Sequence, residues 1–188
     1  MKILSFAGSP RRNGNTRILL KAFTDECSQR GHEIETVDLA NTAKWRINAC
    51  IGCDRCLGGK CIQKDSMQEI YPKIAETDAI VLAAPVYFYG LPSQAKAMID
   101  RCQLFFNMKY RREEPIRTKP GKGLFISVGA TKGSRLFDGE LLTIKYWYDA
   151  IGVDYVGEAL LKGVDEPGAI LQHPEAIAAA RHLVDYLE

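Results

Sequence analysis

Four cysteines, Cys50, Cys53, Cys56 and Cys61, follow one another at spacings of two, two and four residues. Thiols so crowded point to metal or redox chemistry before they point to disulfides. The spacing matches the tight cysteine runs that hold a [4Fe–4S] cube. Zinc more often takes two Cys-x-x-Cys hooks set farther apart, so a zinc site is the alternative, and bare thiols are the third reading. Gly52, Gly58 and Gly59 let the backbone wrap around such a centre and aim N–H groups at its sulfurs. Cys27 and Cys102 fall in helical patterns and read as small buried apolar residues.

Three further segments could hold a ligand. Gly8-Ser9-Pro10-Arg11-Arg12-Asn13-Gly14-Asn15-Thr16 follows a short apolar run. It is neither a Walker loop nor a Gly-x-Gly-x-x-Gly fingerprint. The hydroxyls of Ser9 and Thr16, the amides of Asn13 and Asn15, the backbone around Gly14 and a helix N-terminus can still surround a terminal phosphate. Arg11 and Arg12 could add charge-assisted contacts. The competing reading is an ordinary strand-to-helix turn. Pro85-Val86-Tyr87-Phe88-Tyr89-Gly90 places three aromatics together in a loop, where a planar ligand, a helix or a subunit contact would cover them. Gly129 and Ala130, in Ser127-Val128-Gly129-Ala130-Thr131, could bring backbone N–H groups to the polar edge of a heteroaromatic ring, or form a plain surface loop.

The elements that must position these loops alternate in type. Apolar runs or alternating patterns predict strands over 2–7, 33–39, 79–84, 122–128 and 153–161. Helical spacing predicts helices over 16–30, 66–76, 91–106, 137–151 and 174–187. Gly31 ends the first helix, Asp65 or Ser66 caps the second, and Pro92 and Pro174 suit first turns. Five strand–helix repeats imply an α/β, three-layer, doubly wound parallel sheet of flavodoxin-like order 2-1-3-4-5. In that topology the loops after strands one to four converge on one carboxyl edge.

The length of 188 residues suits one domain, taken as 1–188 with a cysteine-loop insertion at about 47–64. A net charge of +2 argues against a nucleic-acid binder. No stretch approaches the roughly 20 apolar residues of a membrane helix. The first seven residues lack the apolar region and cleavage site of a signal peptide, so the expected location is the cytoplasm. His32, His173 and His182 show no pairing and read as surface or cap residues. Lys109-Tyr110-Arg111-Arg112 reads as a solvated loop or a docking patch for an acidic ferredoxin. Tyr146-Trp147-Tyr148 reads as exposed aromatic surface suited to subunit contacts.

Together these residues give a chain that resembles the iron–sulfur flavoprotein branch of the flavodoxin-like NADPH-dependent FMN reductase family. The resemblance rests on Gly8-Ser9-Pro10-Arg11 through Gly14-Asn15-Thr16, the cysteine run, Asp65-Ser66-Met67, and Pro85-Val86-Tyr87-Phe88 with Lys96 and Asp100-Arg101. Ser66 stands where the family commonly has a second aspartate. The resemblance implies an FMN phosphate on Ser9, Arg11, Asn15 and Thr16, and an isoalloxazine between the segments 85–90 and 128–131. It implies a [4Fe–4S] cluster on the four cysteines and assembly as a homodimer or homotetramer. The expected function is an FMN-dependent oxidoreductase moving electrons from ferredoxin or NAD(P)H to a small acceptor, with no catalytic acid or base of its own. A plain FMN or quinone reductase without a cluster, a non-catalytic electron carrier and a zinc-bearing interaction module are the alternatives.

Overall fold

The computed structural model describes residues Met1–Glu188. Its strands are β1 (Lys2–Ala7), β2 (Glu33–Asp38), β3 (Ala79–Pro85), β4 (Gly121–Gly129) and β5 (Val153–Lys162). All pairings are parallel and the order is β2-β1-β3-β4-β5, as the sequence pattern predicts. Central β3 is an unbroken apolar run buried on both faces, whereas edge strand β2 buries only Val37 fully. The helices are α1 (Asn15–Gln29), α2 (Met67–Glu76), α3 (Ser93–Arg101), α4 (Gln103–Arg111), α5 (Asp138–Ala150) and α6 (Pro174–His182). On one face α2, α3, α4 and α5 pack over Leu4, Phe6, Leu82 and Phe125. On the other, α1 and α6 pack over Ile3, Val81, Leu124 and Ile126. No helix is long and apolar enough to cross a membrane.

The helix expected over 91–106 is two helices. The chain makes a tight turn at Cys102, whose N–H donates to Ile99 O at 2.9 Å and whose carbonyl accepts from Phe105 N–H at 2.9 Å. That junction lets α3 bury Met98 and Ile99 and α4 bury Leu104 and Phe105 in the same core. It also carries residues 109–111, expected in a loop, into the last turn of α4, where Lys109 pairs with Asp149 at 2.7 Å. The final helix gives way after His182 to a short 3-10 segment, Leu183–Leu187. Trp147 and Tyr148, expected at the surface, are core residues: the Tyr148 hydroxyl donates to Leu124 O at 2.6 Å, and only Tyr146 of the trio is exposed. Helical periodicity explains this, because only one of three consecutive helical residues need face water.

Arg117, in the long connection before β4, fastens two helix ends. Its Nε donates to Ile151 O at 3.1 Å and its Nη1 to Thr77 O at 2.5 Å, and Nη2 reaches Ile74 O. Burial pushes its pKa down, and the three carbonyls hold the guanidinium in place. Arg117→Ala is expected to cost about 2–4 kcal/mol of unfolding free energy, because three part-buried carbonyls lose a charged donor. Urea unfolding checks this; a loss below about 0.5 kcal/mol would show that water replaces the arginine.

Candidate functional site

The parallel register places Ala7 beside Asp38 and Ala83, so the ends of β1, β2 and β3 meet at one edge. The loop after β1 turns back there, and its Gly14 leaves no room for a side chain: an added Cβ would lie 2.6 Å from Ser9 Oγ. Arg17 braces this loop from within α1. Its Nε and Nη2 donate to Ser9 O at 3.1 and 3.0 Å, and its guanidinium pairs with Asp38 at the end of β2. Burial alone would raise the Asp38 pKa, but the Arg17 contacts and backbone N–H groups hold it below the usual carboxylate range. α1 begins with no side chain capping its first N–H groups. The Thr16 hydroxyl beside them is 1% exposed at residue level and has no hydrogen-bond partner. A buried hydroxyl without a partner, next to uncapped helix N–H groups, is a site prepared for an acceptor such as a phosphate oxygen.

These groups open into a cleft with about 420 Å³ of empty space. Ser9, Arg11, Gly14, Asn15, Thr16, Pro85, Val86, Tyr87, Val128 and Ala130, all from segments singled out in the sequence, line it, joined by Val164 and Asp165. Asn13, Phe88, Gly90 and Gly129 lie outside that lining. Gly129 serves packing, since a Cβ there would meet Leu136 at 2.5 Å, while its carbonyl accepts from Gly163 N–H at 2.7 Å. Asn15 is engaged structurally: Nδ2 donates to Glu166 O at 3.1 Å and Oδ1 accepts from Ile170 N–H at 3.2 Å. Arg11 reaches across the cleft mouth to Asp165, at 2.9 Å to its carbonyl and 3.3 Å to its carboxylate. The loop after β5 is therefore a wall of the cleft. The parallel topology could have signalled it, because that loop must reach the same edge as the others.

Phe88 and Tyr89 form the tip of a two-residue turn closed by Tyr87 and Gly90, with N–H···O distances of 2.8 and 2.9 Å. Both adopt positive φ, 50° and 61°, a conformation that costs a non-glycine residue about 1–2 kcal/mol. Phe88 is fully exposed at the tip. The Tyr89 carbonyl abuts Gly139 in α5, which holds the strained turn from behind.

The four cysteines line a second cleft with about 380 Å³ of empty space, together with Asp54, Gln63, Arg101 and Gln103. Backbone turns at Gly52, Asp54 and Gly59, with φ of 61°, 55° and 83°, fold the loop around it. Two sulfurs already receive hydrogen bonds. Asn107 Nδ2 donates to Cys56 Sγ at 3.0 Å, and Arg101 Nη2 donates to Cys61 Sγ at 3.3 Å. Burial pushes the Cys56 pKa up. Arg101 also pairs with Asp65 through both nitrogens, at 2.5 and 3.1 Å, and both side chains are 1% exposed. Asp65 Oδ1 accepts the Met67 N–H at 3.1 Å, so Asp65, rather than Ser66, serves the start of α2 with its side chain. The four cysteines line one cleft and N–H donors reach two of their sulfurs, a donor set of the chemistry an iron–sulfur cluster takes, although no three of the thiols are gathered closely enough to hold a metal ion as they stand. Cys27 and Cys102 are buried elsewhere, and burial pushes both thiols up to about 12.

The family model for the NADPH-dependent FMN reductases matches residues 1–154. An iron-sulfur flavoprotein of Archaeoglobus fulgidus is 33% identical over 165 residues, 87% of this chain and 70% of that protein. One from Methanosarcina thermophila is 31% identical over 159 residues, 84% of this chain and 78% of that protein. Matches to other iron-sulfur flavoproteins span as little as 51% of those proteins. The solved NAD(P)H:quinone oxidoreductase from Methanothermobacter marburgensis shares the fold, with a TM-score of 0.75 at 21% identity over 100% of this chain and 99% of that one. The extent of the family match and the identity to these relatives support one assignment: the chain is an oxidoreductase of the NADPH-dependent FMN reductase family, in its iron–sulfur flavoprotein branch.

Proposed function

We propose that the chain binds FMN in the cleft at the ends of β1, β3 and β4, carries a [4Fe–4S] cluster on Cys50, Cys53, Cys56 and Cys61, and passes electrons from NAD(P)H or ferredoxin to a small acceptor. The observation that carries this reading is the pairing of two clefts in one chain: one with an unpartnered buried Thr16 hydroxyl at a helix start, one lined by four thiols. When bound, FMN supplies two-electron chemistry that can also run singly, and the cluster supplies one-electron transfer. The protein supplies position and environment. Thr16, Ser9 and the first N–H groups of α1 bind the phosphate, with Arg11 at the rim. Pro85, Val86, Tyr87, Val128 and Ala130 form an apolar wall of the cleft, which would receive the flavin ring and shield it from water.

The direct test is an anaerobic absorption spectrum with iron, sulfide and zinc assayed on the same sample. Flavin bands with a broad shoulder that bleaches on reduction, and iron and sulfide at about four per chain, are expected. Flavin without iron after anaerobic reconstitution would leave the plain quinone or FMN reductase, a reading supported by the full-length fold likeness to the quinone oxidoreductase. Stoichiometric zinc would make the cysteine loop a zinc module.

A protein donor would meet the cysteine cleft first. Arg55, Lys60 and Lys64 are exposed around it, and no carboxylate pairs with them. Arg55→Glu/Lys60→Glu is expected to slow reduction by ferredoxin severalfold at low salt, and the difference should shrink as salt rises. Equal rates for the variant and the wild type at low salt would remove this docking face. A second copy is proposed to cover the apolar groove between α3, α4 and α5, where Leu142 and Tyr146 are 60% and 70% exposed. Light scattering should then report an oligomer that Tyr146→Arg/Leu142→Arg shifts toward monomer; an unchanged mass would place the contact elsewhere.

A further inference from the structure

Residues 48–65 leave the fold and return to it at a narrow neck. The Asn48 N–H donates to Asp65 Oδ2 at 2.9 Å, joining the two ends of the loop. Arg101, at the end of α3, closes the neck: Nη1 donates to Asn48 O at 3.0 Å while both terminal nitrogens hold the Asp65 carboxylate. The same Nη2 then reaches Cys61 Sγ. One buried guanidinium thus touches the segment entering the loop, the segment leaving it and one of the four thiols. Burying a carboxylate and a guanidinium together carries a desolvation cost that a well-packed apolar pair would avoid. Stability alone is therefore a weak reason for this pair. A planar fork that binds a carboxylate on two sides and still offers an N–H to sulfur is a geometry lysine cannot supply.

We propose that Arg101 is the positioning residue of the four-cysteine centre: it locks the neck of the loop through Asp65 and Asn48, and it sets the centre's reduction potential by placing a fixed positive charge and an N–H on Cys61. The potential half of this inference rests on the cluster reading above; the neck half does not. The physical reason for the potential effect is direct. Four thiolates and their cluster gather negative charge in a half-covered cleft, and reduction adds more. A permanent cation in contact with one sulfur favours the reduced form, as does a hydrogen bond to that sulfur. Asn107 gives Cys56 a neutral version of the same contact at 3.0 Å, so the two sulfurs that carry donors are also the two less exposed ones.

The test uses Arg101→Gln and, because that variant leaves the Asp65 charge buried and unpaired, the charge-free double variant Asp65→Asn/Arg101→Gln. In metal-free protein, backbone amide exchange over 48–65 is expected to quicken at least tenfold in both variants, while β1, β3 and β4 keep wild-type protection. After anaerobic reconstitution, the midpoint potential of the fully loaded fraction is expected to fall in both variants. Wild-type exchange over the loop together with a wild-type potential in the double variant would overturn the proposal. A loss of protection spread evenly over the sheet would also overturn it, by making the pair a general support of the fold. Should wild-type protein take up no iron, the cluster reading fails on its own, and the exchange data alone decide whether Arg101 holds the neck.

Discussion

Thr16→Val is expected to weaken FMN binding about 10- to 100-fold, the worth of one hydrogen bond to a charged acceptor. Riboflavin, which has no phosphate, should bind wild type and variant alike. Thr16 Oγ1 is the one side-chain oxygen of the β1 loop that is buried without a partner, and Thr16 lines the cleft. Valine keeps the shape and removes the hydroxyl. The ligand-free variant should gain stability, by about 1–2 kcal/mol, because a buried unsatisfied group disappears. The two effects have opposite signs, which separates them from general damage. Titration of flavin fluorescence and thermal unfolding of the ligand-free protein measure both. An equal loss for FMN and riboflavin would move the phosphate away from Thr16, and an unchanged FMN affinity would remove it from this loop.

The second large effect concerns Glu140, whose carboxyl is fully buried beneath the carboxyl end of β4. Ser127 Oγ donates to one oxygen at 2.7 Å, and the other oxygen has no partner. Burial pushes the pKa from 4.5 up to about 8, against the smaller opposing pull of the Ser127 hydrogen bond. The folded chain therefore binds this proton more tightly than the unfolded chain does. The stabilisation is complete below pH 4.5 and is lost as pH rises toward 8. The linked energy is about 5 kcal/mol, to order of magnitude. Glu140→Gln mimics the neutral acid, so it should flatten this dependence, and at pH 9 it should melt higher than wild type. Its amide N–H group, facing the position that has no partner, should make it equal or slightly weaker near pH 5. Urea unfolding across this range checks both. Parallel pH profiles for the two proteins would show that Glu140 is not the titrating group.

Several features of this protein were readable from residue order alone. The strands, their order and the convergence of loops follow from apolar runs and turns, because a buried parallel strand and an amphipathic helix differ in period. That four cysteines would line one cleft was readable, because their spacing within a dozen residues is a local property. So was the gathering of Ser9, Thr16, Pro85 and Val86 around another, since they lie in loops next to predicted strands. The family resemblance, carried by the same local motifs, holds.

The rest depended on contacts between residues far apart in the chain. Arg17 braces the loop after β1 only because β2 ends beside β1 and brings Asp38 within reach. Asp165 and Val164 enter the cleft only because β5 returns to the same edge. Asn15 is drawn to the loop at 166–170, 151 to 155 residues away, so its oxygen and one of its two N–H groups are engaged before any ligand arrives. Whether Trp147 faces water or the core is a matter of which side of α5 meets the sheet, and three adjacent aromatics do not say. The same limit hid Asn107 and Glu140, and the buried contacts of Arg101. A charged or polar side chain in a helix reads as solvated surface, since burial of such groups is costly. Only the packed fold shows that Asp65 stands opposite Arg101, that Ser127 lies over Glu140, and that Asn107 meets the sulfur of Cys56. The local code sets which elements form and which chemistry is on offer. Tertiary packing decides which polar groups are buried, and so which of them must find partners.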